Sequence, residues 1–272
     1  MLKLADGTRI RIEQAGSGTP LVLIPGWACS IEVFQHNIPA FAEHFRVIAY
    51  DPRSQGGSDQ VATGNNYAQR GDDLHELLEL LDLPRVILLG WSLGVFDALA
   101  YLDRHGLDRV LALVFVDEAP KIVKAGDEDW GEGDADEIAG LIKTVDGSGY
   151  LPFFREYMAA GFDGEAPLAL LDHMTETASA LPASRAAALL RDAAQRDFSL
   201  LSKRAARELP VLQIIREDWA MAARRWIEAN QPDAEIEVLG RHLMLLEYPK
   251  TFNHTVLSFL DAHRQPPVDE GE

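Results

Sequence analysis

Apolar residues recur along the chain in two rhythms. Five short, nearly continuous apolar runs, at 21–24, 46–50, 85–89, 109–116 and 211–215, are rich in Val, Ile and Leu, and 235–239 reads as a last strand. Such runs predict strands buried on both faces. Between them, apolar positions fall three and four residues apart. Val33, Phe34, Ile38 and Phe41 mark a helix over 31–44, and Leu74, Leu77, Leu78 and Leu81 mark one over 67–81. Helices over 93–105, 221–230 and 249–263 follow from the same spacing. Strand and helix alternate, which predicts an α/β fold with a mainly parallel sheet and helices on both faces. Near the N-terminus, Asp6-Gly7 separates alternating runs at 2–4 and 8–13 and predicts a hairpin.

The rhythm breaks after Pro120. Residues 121–207 carry no good strand but show helical spacing around 136–145, 150–160, 166–180 and 182–195. The organisation expected is therefore a core of 1–120 and 208–263, with a helical cap inserted at 121–207. The tail 264–272, with Pro266-Pro267 and three acids, is expected to fray.

Composition narrows the function classes. The 272 residues are 47% hydrophobic, enough for one large domain with a sizeable core. The formal net charge of −18 argues against nucleic acid or an anionic membrane as partner. No apolar run reaches the roughly 18 residues that span a bilayer, and 1–7 lack the apolar stretch of a signal peptide. The single cysteine, Cys29, fits a reducing compartment. A cytoplasmic enzyme with a small apolar or aromatic substrate is the expectation, with neither cofactor nor metal.

The chemistry centres on Gly90-Trp91-Ser92-Leu93-Gly94. A strand runs into it and a helix leaves it, which is the sharp turn that presents a nucleophilic serine. Bulk at either glycine would strike the strand or helix beside it, and the helix N-terminus favours developing negative charge.

Further motifs arrive in a telling order. Pro25-Gly26-Trp27 follows the first core strand, and Asp51-Pro52-Arg53-Ser54-Gln55-Gly56-Gly57-Ser58 follows the second. Gly240-Arg241-His242-Leu243-Met244 comes after the last strand. With the serine turn, they resemble the α/β-hydrolase fold superfamily over about 2–263. Trp27-Ala28-Cys29-Ser30 and Val116-Asp117-Glu118-Ala119-Pro120 are similar to its arylesterase or cofactor-free haloperoxidase branch. The resemblance implies an eight-stranded sheet and a Ser-His-acid triad acting on a small ester or lactone through an acyl-enzyme.

Ser92 then needs a base. His36, His44, His75, His105, His254 and His263 fall on predicted helices, and His173 lies in the insertion. His242 alone sits on a loop after a strand of the parallel sheet, where sites of such sheets form, so it is the expected base. The acid departs from the family pattern. It usually follows the strand 211–215 in a Gly-x-x-Asp turn, but this chain reads Arg216-Glu217-Asp218-Trp219 there. Asp117, at the end of the preceding core strand, is favoured, with Asp218 and then Glu118 as alternatives. The resemblance assigns oxyanion donors to the backbone N–H groups of Leu93 and Trp27. Trp91, Cys29, Trp130, Phe153, Phe154, Tyr157 and Met158 are the expected pocket walls.

Two other readings stay open. Cofactor-free dioxygenases of the same fold, which cleave heteroaromatic quinolone-like rings, resemble the chain at Pro25-Gly26-Trp27 and in an acid placed like Asp117. They carry a histidine soon after that tryptophan, where this chain has Ala28 and Cys29. A non-catalytic binding protein of the hydrolase fold is the third, against which stand both Ser92 and His242.

Overall fold

In the computed structural model, which describes residues 1–126 and 129–263, the two rhythms become nine strands and eleven α-helices among the described residues. Strands β1 (Leu2–Lys3) and β2 (Arg9–Ile10) pair antiparallel as a hairpin around Asp6-Gly7. Then come β3 (Ile12–Ala15), β4 (Pro20–Ile24), helix α1 (Ile38–Ala42) and β5 (Arg46–Tyr50). Helix α2 (Tyr67–Leu80), β6 (Val86–Trp91), α3 (Gly94–His105) and β7 (Val110–Val116) follow. The insertion holds α4 (Ala135–Val145), α5 (Tyr150–Ala160), α6 (Leu168–Ser179), α7 (Ala183–Ala194) and α8 (Ser199–Glu208). Last are β8 (Val211–Ile215), α9 (Ala220–Asn230), β9 (Glu235–Val238), α10 (Met244–Glu247) and α11 (Pro249–Ala262).

The main sheet has the order β3-β5-β4-β6-β7-β8-β9, parallel throughout except for β3. It is seven-stranded, not eight-stranded. The first hairpin stands apart because Arg11, between β2 and β3, diverts its N–H to the Ser58 hydroxyl at 2.9 Å. The central strands β4, β6, β7 and β8 are buried almost end to end, which their unbroken apolar runs require.

The expected helix over 31–44 is broken into a 3₁₀ turn at Ile31–Phe34 and the short α1. Asn37 interrupts it, because its buried amide is committed to the Leu245 carbonyl and the Asn253 side chain, at 3.3 and 2.7 Å. Pro39 then sits in the first turn of α1, where its missing N–H goes unneeded. Helix α8, which had no expectation of its own, packs against α3. Its Ser202 hydroxyl accepts from Gln231, at 2.5 Å. The tail 264–272, and Asp127 and Glu128 of the acidic loop, lie outside the described residues. No helix among the described residues is long and apolar enough to cross a membrane.

Candidate active site

The parallel sheet delivers the chemistry-bearing residues at the carboxyl ends of adjacent strands. Ser92 follows β6 at once, with φ +53°, and its N–H donates to the Val116 carbonyl at 2.8 Å. A non-glycine residue with that φ is strained by about 1 kcal/mol. The strain is held by what surrounds it. A side chain at Gly94 would strike the backbone of Ile24, and a Cβ at Gly26 would stand 2.9 Å from the Ser92 Cβ. Only glycine lets the Pro25-Gly26-Trp27 loop close on the serine.

Asp117 follows β7 in the same manner, with φ +54° and its N–H bonded to the Ile214 carbonyl at 2.8 Å. His242 lies on the loop after β9. Its carbonyl accepts from the Trp91 indole N–H at 2.9 Å, and the two rings lie 4.9 Å apart. The residue beside Ser92 thus pins the histidine loop. His242 Nδ1 meets Asp117 Oδ2 at 2.6 Å, both groups buried. Burial pushes the Asp117 carboxyl up, but the Arg216 charge and the His242 hydrogen bond outweigh it and hold it below its ordinary range. An ionised carboxylate only accepts, so the Nδ1 proton sits on the histidine. Nε2 is buried and without a hydrogen-bond partner among the described residues.

The other two carboxylate candidates stand elsewhere. Asp218 is largely exposed and pairs with Arg216 Nε at 3.3 Å. Glu118 is buried but bonds the Ala119 N–H at 3.0 Å, not His242. Burial, with the Glu132 and Asp117 charges, raises its carboxyl well above the ordinary range, against the pull of Arg216.

Arg216 went unassigned in the sequence reading. Its backbone N–H donates to Asp117 Oδ1 at 3.2 Å, and Nη1 to Oδ2 at 3.3 Å. Its guanidinium lies 3.4 Å from the Trp219 ring centre, a stacked cation–π contact. The signal was present: a cation at the end of a fully buried strand, where the family pattern has glycine, needs a buried anion.

Gln55 was also missed. Its amide N–H₂ donates to the carbonyls of Gly26 and Cys29, at 3.0 and 2.9 Å. Its oxygen accepts from the Ala28 N–H at 3.1 Å and from Arg70 Nη2 at 2.6 Å. Every bond of this side chain goes to the loop after β4 or to the arginine that fixes its orientation. The loop carries Ala28 at φ +59°. The N–H groups of Trp27 and Leu93 make no hydrogen bond within the protein among the described residues.

A cavity opens at Ser92, walled by Trp27, Trp91, Leu93, Phe153, Tyr157 and Met158, with Glu132 and residues of α4 beyond. Three expected walls stand elsewhere. Trp130 packs against Trp219 and Trp226, 6.4 and 5.7 Å away, in a small cluster beside α9. Its place in the insertion suggested the pocket, but the apolar side of α9 claims the ring. Phe154 is fully buried behind the Trp27 ring, at 6.2 Å. Cys29 opens on a second cavity, shared with Glu32, His173 and Met174. Among the described residues no group of three or more His, Cys, Asp or Glu side chains is placed to hold a metal ion.

Comparison with known proteins agrees with this architecture. The family described as the alpha/beta hydrolase fold matches residues 19–237. A non-heme chloroperoxidase of Kitasatospora aureofaciens is 32% identical over 140 residues, 51% of this chain and 50% of that protein. The chain spans about half the length of the curated relatives it matches. Among solved structures, a bromoperoxidase from Bacillus anthracis superimposes with a TM-score of 0.83 at 26% identity, over 93% of this chain and 96% of that one. An esterase from Exiguobacterium antarcticum gives 0.79 at 26% identity, over 94% and 97%.

Proposed function

The chain belongs to the α/β-hydrolase fold family, and from that premise we propose that it is a serine hydrolase cleaving a small carboxylic ester or lactone through an acyl-enzyme. One observation carries the reading: a buried His242 held by Asp117 at 2.6 Å, its Nε2 left bare, on a loop pinned to the residue beside Ser92. The esterase likeness supports the ester as reacting group.

Ser92 Oγ attacks the carbonyl carbon while His242 Nε2 takes its proton. Asp117 keeps the Nδ1 proton in place and balances the imidazolium. The Leu93 and Trp27 N–H groups receive the oxyanion, and each such donor contributes about 3 kcal/mol to the transition state. The imidazolium returns its proton to the leaving alcohol. Water, activated by the same Nε2, then cleaves the acyl-enzyme. The helices α4 to α7 act as a cap that sets which acyl or alcohol part enters.

A fluorophosphonate probe tests this directly. The wild-type protein is expected to label and to hydrolyse p-nitrophenyl acetate, and Ser92→Ala to do neither. An unlabelled wild type that leaves the ester intact would refute the reading.

One observation favours a second reading: Asp117 occupies the acid position shared with the cofactor-free dioxygenases. There the His242–Asp117 dyad would deprotonate an acidic heteroaromatic hydroxyl, and Ser92 need not be a nucleophile. Oxygen uptake with hydroxyquinolones, surviving in Ser92→Ala, would support it over the hydrolase.

A further inference from the structure

The walls of the Ser92 cavity are aromatic and aliphatic, with one exception. Glu132, from the loop between β7 and α4, lines the same cavity as Ser92 and has a side chain 23% exposed. Its backbone is fixed. The Glu132 N–H donates to the Ile122 carbonyl at 2.9 Å, and Gly133 pairs with Val123 as a parallel bridge. Its carboxyl is poorly partnered by comparison. The Tyr157 hydroxyl stands 3.5 Å from Oε1, and Arg216 Nη2 stands 3.8 Å from Oε2. Both contacts lie at the outer limit of bonding. A carboxyl among apolar walls with open hydrogen-bonding capacity invites a polar group from the bound molecule.

We propose that Glu132 is a specificity-determining residue that takes a hydroxyl group on an otherwise apolar substrate. The proposal rests on the hydrolase reading for the reaction, not for the recognition. Charge decides the class of group. A carboxylate on the substrate would face Glu132 and Asp117. An ammonium would face Arg216, whose guanidinium already lies against both acids. A neutral hydroxyl meets neither repulsion. Burial raises the Glu132 carboxyl above its ordinary range, although Arg216 and His242 pull the other way. A carboxyl that keeps its proton longer can donate to a hydroxyl as well as accept from it. The substrate class is then an ester or lactone with an aryl or alkyl body and one hydroxyl.

Binding of non-hydrolysable probes separates this from the reaction. In a Ser92→Ala background, an aryl methyl ketone and its three ring-hydroxylated isomers are titrated by quenching of tryptophan fluorescence, since Trp27 and Trp91 wall the cavity. One hydroxylated isomer is expected to bind about tenfold tighter than the parent, the worth of one good hydrogen bond. Glu132→Leu is expected to reduce that gain below about threefold. Glu132→Gln, which keeps an acceptor oxygen, should retain most of it, as should Tyr157→Phe. The proposal fails if no isomer gains, if the gain survives Glu132→Leu, or if Tyr157→Phe alone abolishes it. Failure of fluorophosphonate labelling would sink the hydrolase and leave this comparison standing.

Discussion

At Asp117, three donors converge on one fully buried carboxylate: the His242 ring, and the backbone and guanidinium of Arg216. Asp218 meets only the guanidinium, from the solvent side. Asp117→Asn keeps the shape but turns an acceptor into a donor, which forces the wrong histidine tautomer. A fall in kcat of about 10³ to 10⁴ is expected, as for other triad acids. Asp218→Asn is expected to change kcat less than about threefold, since an exposed pair contributes little. Steady-state rates on p-nitrophenyl esters rank the two, and the reverse order would return the acid to the strand β8 turn. Arg216 explains why this residue was hard to read. A cation in the glycine position looks like a lost motif until the buried anion it serves comes into view.

Between elements, the loop after β5 holds the loop after β4 through Gln55. Gln55→Ala frees the Cys29 carbonyl and the Ala28 N–H and leaves the Gly26 carbonyl with only the Cys29 N–H, at 3.2 Å. The Trp27 N–H then loses its aim, and kcat is expected to fall about 10²-fold with KM little changed, the pattern of a lost transition-state contact. An effect confined to KM would assign Gln55 to substrate binding instead. A second junction, between α2 and α3, sets a pH dependence. Asp97 is fully buried 3.5 Å from Arg70, and burial pushes its carboxyl up to about 7 from 3.8. Between those values the folded state binds the extra proton, so this group's contribution to stability falls as pH rises. The melting temperature of wild type relative to Asp97→Asn is expected to drop from about pH 5 to about pH 8. A flat difference would mean that Arg70 keeps Asp97 ionised throughout. At this scale the sheet was legible, because strands buried on both faces must be apolar on both. The insertion helices α4 to α7 were legible from spacing alone. What stayed hidden came from polar side chains with distant partners: Asn37 breaking a helix, Ser58 drawing the Arg11 N–H away from the sheet, Gln55 bracing a loop. Partners 15 to 216 residues away leave no mark on local periodicity.

Over the whole molecule, the net charge of −18 is spread across a fold whose site already holds Asp117 and Glu132. An anionic ester should be repelled as it approaches, and salt should relieve that repulsion. Raising sodium chloride from about 10 mM to about 300 mM is expected to lower KM for a carboxylated aryl ester severalfold and to leave its neutral counterpart unchanged. Equal salt responses would place the negative surface away from the entrance. The fold also concentrates its backbone strain. Of the five non-glycine residues at positive φ among the described residues, Ala28, Ser92 and Asp117 all stand in loops after strands that end in the site. Glycine would relieve about 1 kcal/mol of backbone strain at each, but at Asp117 it would also leave buried Arg216 without its anion, a loss of about 3 to 5 kcal/mol. A sequence freed from its substrate would gain backbone ease from glycine at Ser92 and lose its nucleophile in the same step, while Asp117 would stay for the sake of Arg216.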